Sequence, residues 1–152
     1  KSKYFLGSEQ IIDEYNNFIK ELNRESKKNR KIGFDPDSLP MDGFHFETWV
    51  AENLKRFGWD AKATQGTGDQ GIDVIAVYKN KRVGIQCKRY SGTVGNKAVQ
   101  EVIAGVAFNK LDRGVVITNA EYTNSAIRLA ESANVPLLKH TNIPDLIEIL
   151  GL

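Results

Sequence analysis

Residues 66–90 read GTGDQGIDVIAVYKNKRVGIQCKRY, and this stretch predicts the centre of the fold. The segments 73–78 and 82–88 are rich in Val and Ile, and a short polar turn separates them. This pattern is typical of an antiparallel β-hairpin. The glycines of 65–71 predict a loop that allows close backbone approach, either to admit a phosphate or to make a tight turn. Asp69 either caps that turn through its side chain or orients neighbouring groups.

The second strand of this hairpin carries the polar residues with chemical potential. Side chains alternate between the faces of a strand, so Gln86 and Lys88 share one face, while Ile85 and Cys87 share the other. Asp73 opens the first strand, so its carboxylate can lie beside the amide and the ammonium. Oxygens of Asp73 and Gln86, with the main-chain carbonyl of Cys87, would suit Mg²⁺. The alternative is a set of ordinary polar side chains on the solvated face of a half-buried sheet.

A longer series of motifs decides between these alternatives. In chain order they are GxGDxGxDV (66–74), QCKRY (86–90), GNKAVQEV (95–102) and VVITN (115–119). Over residues 42–138 the series resembles the Mrr-type restriction endonuclease family of the PD-(D/E)xK nuclease superfamily. In that branch Gln replaces the acidic residue of the ExK element, as Gln86 does here. The resemblance implies an α/β fold, a restriction-endonuclease-like sandwich whose central mixed sheet is flanked by helices, with an N-terminal helical extension.

The resemblance also implies an activity and the residues that perform it. It implies a Mg²⁺-dependent DNA endonuclease of restriction type, in which Mn²⁺ can substitute, with modified or foreign DNA as the expected target. Asp73, Gln86 and Lys88 would be the catalytic positions, and Glu47 a further acidic member. Lys88 would orient water and stabilise charge in the transition state. By position alone, Glu47 would instead be a structural residue near the start of a helix that Asp42 caps.

The helix predicted at 95–109 supplies candidate DNA contacts. Its first turn presents Asn96, Lys97 and Gln100, and the free backbone donors at a helix start attract phosphate. Gln100 is placed near the site by the family motif. The alternative is a helix that lies across the sheet with these polar residues facing water.

Composition limits the class of protein. The chain has 152 residues, of which 41% are hydrophobic and 26% charged, as in a folded globular protein. The 21 basic and 19 acidic residues give a net charge of only +2, so an attraction to DNA must come from local clustering. The single cysteine, Cys87, cannot form an internal disulfide, which favours structural packing and a reduced, cytoplasmic location. No apolar run is long enough to span a membrane.

Two segments are predicted along the chain, an N-terminal helix with its linker (1–40) and an Mrr-like endonuclease domain (41–152). Prolines and acids at 34–40 mark the linker. The first residue is not Met, which leads us to expect a piece of a longer protein. The predicted elements are helices at 8–29, 43–57, 95–109, 123–133 and 143–150, with strands at 59–64, 73–78, 82–88, 114–118 and 136–139.

Two other functions stay open from the sequence alone. One is a structure-selective nuclease such as a Holliday-junction resolvase, because the superfamily includes such enzymes. The other is a non-catalytic DNA-binding module that uses Lys97 and the basic end of the N-terminal helix, with salt-dependent binding and no hydrolysis. DNA is the expected partner in every case. A cut across both strands would favour two active sites, hence a homodimer, whereas the alternative is one domain that nicks a single strand. An additional target-recognition domain is expected outside this chain.

Overall fold

The computed structural model describes residues 7–64 and 70–152, without the side chains of residues 26, 27 and 29–31. The glycine-rich part of the predicted loop, including Asp69, therefore lies outside the described residues. The chain divides between Asp35 and Pro36 into two compact units. Within the described ranges, no helix combines the length and the hydropathy that crossing a bilayer requires.

The described part of the first unit consists mainly of one helix, α1 (Ser8–Ile32). It continues beyond the predicted end and stops before Gly33, whose φ of 92° is readily adopted by glycine. The apolar residues of α1 recur at the predicted helical spacing. Five of them have 49% to 62% of their surface exposed, namely Ile11, Ile12, Tyr15, Phe18 and Leu22. This stripe gives α1 one apolar face and one polar face.

The second unit follows the predicted order of a helix, three strands, a helix, a strand, a helix, a short strand and a last helix, with two further short strands. Its helices are α2 (Gly43–Arg56), α3 (Asn96–Asn109), α4 (Asn124–Ala133) and α5 (Leu146–Ile149). Its strands are β1 (Asp60–Ala63), β2 (Val74–Tyr78), β3 (Lys81–Lys88), β4 (Thr93–Val94), β5 (Arg113–Thr118), β6 (Glu121–Tyr122) and β7 (Leu137–Lys139). In the described residues the main sheet has the order β1-β2-β3-β5-β7. The pairs of β1, β2 and β3 are antiparallel and those of β3, β5 and β7 are parallel, which confirms the predicted mixed sheet.

The hairpin at the centre of the sheet forms as predicted. β2 pairs with β3 from Val74 opposite Ile85 to Tyr78 opposite Lys81. Lys79 and Asn80 connect the strands with φ angles of 48° and 65°. Two successive residues with positive φ are the mark of the two-residue turn whose twist matches that of a hairpin. The register of β2 and β3, and so the place of every side chain on them, follows from this turn.

β3 is covered by helices on both faces. One of these helices, α3, is the crossover that connects β3 to the parallel strand β5. α2 packs against β1, β2 and β3, while α3 packs against β3 and β5. Gly84 of β3 and Gly114 of β5 lie side by side under α3 and its flanking residues, and a Cβ on either would approach neighbouring side chains within 2.8 Å. These two glycines let α3 lie close to the sheet, which brings that helix into contact with the polar residues of β3.

Apart from element bounds, the second unit differs from the prediction in its last helix and in its short strands. The predicted helix at 143–150 is a 3₁₀ segment, His140–Asp145, followed by the short α5. Pro144 lies inside this segment and cannot donate a backbone hydrogen bond, which explains why a regular α-helix begins only after it. The parallel pairing of β4 with β6 was not predicted, since each strand has only two residues.

Replacing Gly71 by alanine is expected to lower the free energy of unfolding by about 2–4 kcal/mol. Gly71 has a φ of 85°, and a Cβ there would lie 2.6 Å from the carbonyl oxygen of Glu101 on α3. Gly92 is the matched control, because a Cβ there meets nothing within 4 Å. Urea unfolding of both variants checks this expectation. Equal stabilities for Gly71→Ala and Gly92→Ala would contradict it.

Candidate active site

Asp73 lies at the point where β2 begins and its partner β3 continues. Val74 pairs with Ile85, so Asp73 lies one position earlier, at the level of Gln86. The Asp73 backbone N–H donates to the Ile85 carbonyl at 2.8 Å, and its carboxylate accepts from the Cys87 N–H at 2.8 Å. The main chain of the hairpin therefore holds this carboxylate beside the polar face of β3.

Gln86 and Lys88 lie on the same face of β3, as the strand alternation predicted. Gln86 is only 3% exposed, so this face is covered by protein and is not the solvated surface of the alternative interpretation. Both side chains contact Glu101 of α3. The Gln86 Nε2 lies 2.6 Å and the Lys88 Nζ 3.2 Å from the same Glu101 oxygen, Oε2. Helix α3 thus contributes a carboxylate to the group.

Glu47 reaches the site from α2. Asp42 caps this helix as predicted, since its Oδ1 accepts from the His45 N–H at 2.9 Å. Phe46 is fully buried and Glu47 beside it is half-buried. The Glu47 carboxyl shares a hydrogen bond with the Asp73 carboxyl. The structure therefore brings Glu47, Asp73, Gln86 and Lys88 into one neighbourhood.

The carboxyl groups of Glu47 and Asp73 lie close together, and this proximity changes their pKa values. Burial, followed by the nearby Asp73 carboxylate, raises the pKa of Glu47 to about 7. Burial also raises the pKa of Asp73, although the Cys87 N–H and the Lys88 ammonium act in the opposite direction. Two half-buried carboxyl groups in contact cannot both carry charge at low cost. A cation at this place would relieve that repulsion.

The donor set fits a hard divalent cation. The Gln86 Oε1 atom is buried and has no hydrogen-bond partner among the described groups, and an unsatisfied buried acceptor costs about 1–3 kcal/mol. In the described part of the chain, no three His, Cys, Asp or Glu side chains gather into a metal site. A site for Mg²⁺ would therefore combine the Asp73 carboxylate with neutral oxygens, those of the Gln86 amide and the Cys87 carbonyl. Glu47 would add an outer acidic contact.

The predicted DNA-contact residues lie at the start of α3. The Lys97 side chain is 88% exposed, with its Nζ 4.0 Å from Glu101 Oε1. Gln100 is exposed, whereas Asn96 is half-buried and its Oδ1 is buried without a partner in the described ranges. Lys97 and Gln100 are thus accessible, and their contact with DNA stays a prediction.

The sequence argument missed Glu101 and named its neighbour Gln100. Ala98, Val99 and Val102 are the buried residues around it, so the helical spacing places position 101 at the border of the buried face. A charged residue at such a border, one turn after Lys97, was the available signal. Which strand residues it would meet depends on how α3 crosses the sheet, and the sequence does not show that.

The end of β3 is tied to its surroundings by side chains. Asn119 accepts from the Tyr90 N–H at 2.8 Å and donates to the Tyr90 carbonyl at 2.7 Å, so its amide extends the sheet by one bridge. The Thr118 hydroxyl donates to the Lys88 carbonyl at 2.5 Å. Arg89 donates to the Pro40 carbonyl at 2.6 Å. These contacts fix the backbone that carries Lys88.

A comparison with protein families agrees with this geometry. The Mrr_cat model, described as a restriction endonuclease, matches residues 39–147. The chain belongs to the Mrr_cat family. The match includes all four predicted catalytic positions and the helix α3, so the family predicted from the sequence motifs is confirmed.

Two curated proteins are similar to the Mrr_cat chain. The Type IV methyl-directed restriction enzyme EcoKMrr of Escherichia coli K12 is 38% identical over 102 residues, covering 62% of this chain and 34% of that enzyme. The uncharacterized mitochondrial protein C824.03c of Schizosaccharomyces pombe is 23% identical over 140 residues, covering 87% of this chain and 55% of that protein. The chain thus spans less than two thirds of either relative.

Solved structures show that the Mrr_cat chain shares its fold with other proteins. AF1548, a protein of unknown function, superimposes with a TM-score of 0.58 and 22% identity over 73% of this chain and 68% of that one. A repair endonuclease from Pyrococcus abyssi superimposes with a TM-score of 0.50 and 22% identity over 60% of this chain and 43% of that one. At these identities the likeness concerns the fold.

Proposed function

We propose that this chain is the catalytic domain of a divalent-cation-dependent DNA endonuclease of restriction type. The observation that carries the proposal is the convergence of Asp73, Gln86 and Lys88 beside Glu47, at the place where β2 and β3 meet. Membership of a restriction endonuclease family supports the reaction class. The donor set supports Mg²⁺, with Mn²⁺ as a substitute, because its oxygens are hard ligands.

Each side chain has a role that follows from its position. When bound, a divalent cation supplies Lewis acidity to the phosphodiester and lowers the pKa of water. Asp73 and the Gln86 amide would bind it, with the Cys87 carbonyl as a third oxygen. The Lys88 ammonium is 17% exposed and is held by Glu101, so it can donate to the negative charge that develops on a phosphoryl oxygen. Lys97 and Gln100 would hold the flanking phosphates.

The target of the enzyme is a separate part of the proposal. Its E. coli relative is named as a methyl-directed restriction enzyme, so methylated duplex DNA is the first substrate to test. The chain covers 34% of that enzyme, and target recognition by a region outside this chain is therefore part of the proposal. A homodimer for double-strand cuts and a cytoplasmic location stay predictions.

A metal-by-substrate panel tests the proposal. We expect nicking or cutting of duplex DNA with Mg²⁺ or Mn²⁺, complete loss of cleavage with a chelator, and recovery when Mg²⁺ is added back. The substrates are methylated, unmethylated, branched and single-stranded DNA, each with wild type and Lys88→Ala prepared side by side. Preference for branched DNA would favour a structure-selective nuclease. Salt-dependent DNA binding without cleavage under any metal would favour a non-catalytic module.

A further inference from the structure

One oxygen of Glu101 holds two residues of the proposed active site. Oε2 accepts from the Gln86 Nε2 at 2.6 Å and from the Lys88 Nζ at 3.2 Å. The Glu101 side chain is 27% exposed, and that of Lys88 is 17% exposed. Lys97 is farther away, 4.0 Å from the other oxygen, and its exposed charge adds little. The strong contacts of Glu101 are thus directed into the site.

Glu101 determines which way the Gln86 amide points. An ionised carboxylate only accepts hydrogen bonds, so it must face the NH₂ end of the amide. The oxygen end then points to the other side. There Oε1 is buried and meets no donor in the described parts of the chain. An acceptor kept buried and unpaired in this way is suited to bind a cation.

Glu101 also changes the charge at the site. Gln86 is neutral, so its amide brings no negative charge to a cation at this place. A carboxylate 2.6 Å from the amide nitrogen polarises the amide, because hydrogen bonds in a chain strengthen one another. The amide oxygen becomes a better ligand for a cation. The negative charge of Glu101 lies at the other end of the same amide, on its NH₂ side.

We propose that Glu101 is a positioning residue that fixes the Gln86 amide with its oxygen toward the divalent cation and supplies the negative charge that this amide lacks. The inference rests on the proposed function of the site. It gives α3 a part in cation binding, through the Glu101 carboxylate, in addition to the ligands Asp73 and Gln86. Glu101 acts through Gln86 and Lys88 and does not itself touch the substrate.

Cation affinity and the state of the Gln86 amide are the two readouts. Glu101→Gln is expected to weaken binding of Ca²⁺, the probe that leaves the duplex uncut, by about 10- to 100-fold in isothermal titration with duplex DNA present. In ¹H–¹⁵N spectra, the side-chain NH₂ signal of Gln86 is assigned by its absence in Gln86→Glu. This signal is expected to move toward that of a solvated amide in Glu101→Gln.

The matched control is Glu52→Gln. Glu52 is an exposed glutamate of α2 that also pairs with a lysine, with its Oε1 3.0 Å from the Lys55 Nζ. The same charge is removed in both variants, so cation affinity and the Gln86 signal are expected to be unchanged in this one. A variant of Glu101 that behaves like the control in both readouts would overturn the proposal.

An exchange of the two side chains tests the role of the pair. Gln86→Glu combined with Glu101→Gln keeps one amide and one carboxylate in contact, with the carboxylate on the strand. Cation affinity is expected to recover to at least the wild-type value. Gln86→Glu alone is measured beside it, because a carboxylate on the strand can bind the cation by itself. An exchanged pair whose cation affinity is as low as that of Glu101→Gln alone would contradict the proposal.

The experiment separates this inference from the proposed function. If the cation affinity of the chain depends on Glu101 but the wild-type chain cuts no DNA, the proposed function is overturned and the role of Glu101 stands. A chain that cuts DNA equally well with and without Glu101, at equal cation affinity, would overturn only the role of Glu101. A chain that binds no divalent cation with duplex DNA present would overturn both.

Discussion

Cleavage of duplex DNA is expected to fall by about 10²- to 10³-fold when Lys88 is replaced by alanine. The Lys88 ammonium is half-buried beside Glu101, where a charge interacts more strongly than it does in water. Its loss removes a donor for the transition-state charge, while the backbone of β3 stays fixed by β2 and β5. Initial rates with saturating Mg²⁺ measure this effect.

The control for this prediction is another lysine that pairs with a glutamate. Lys55 of α2 lies 3.0 Å from Glu52 at the surface, so Lys55→Ala removes the same charge without touching the site. We expect wild-type cleavage from it. Circular dichroism and urea unfolding should show that Lys88→Ala is folded. A folded Lys88→Ala that cuts DNA at the wild-type rate would remove Lys88 from the catalytic machinery.

Asp73→Asn is expected to abolish both cation binding and cleavage while leaving the fold intact. Asparagine has nearly the same shape, and its Oδ1 can accept the Cys87 N–H that the carboxylate accepts now. What disappears is the negative charge that attracts the cation. Wild type saturated with Mg²⁺ at 100 times its dissociation constant should gain about 2.7 kcal/mol of stability, and the variant should gain none.

Thermal unfolding with and without Mg²⁺ measures this difference. The matched control is Asp112→Asn, because the Asp112 carboxylate likewise accepts a backbone N–H of β3, from Arg82 at 2.7 Å, at the opposite end of the strand. It should keep the Mg²⁺-dependent stabilisation. If Asp73→Asn were stabilised by Mg²⁺ as strongly as wild type, Asp73 would not be a cation ligand.

The sequence predicted well those features that depend on neighbouring residues. The hairpin follows from two Val- and Ile-rich segments separated by a turn that tolerates positive φ at Lys79 and Asn80. The start of α2 follows from Asp42, and that of α4 from Thr123, whose hydroxyl accepts from the Ala126 N–H. In each case the pattern and its physical cause lie within a few residues.

Features that depend on packing over long sequence distances were harder to predict. Gln86 and Glu101 are 15 residues apart and meet only because α3 lies close above β3. The same packing buries the face of β3 that carries Gln86. The alternation of side chains along the strand does not show whether that face is solvated or buried. The family motif placed Gln100 near the site, and the packing of α3 adds its neighbour Glu101, which contacts Gln86 and Lys88.

The position of β3 in the middle of the sheet has a consequence for how this protein meets its substrate. Strands on both sides and helices on both faces make its amides the last to open, so hydrogen exchange at Cys87 should be among the slowest in the chain. The binding groups are then rigid before any ligand arrives. The part of DNA binding that depends on the β3 groups should accordingly need no slow ordering step.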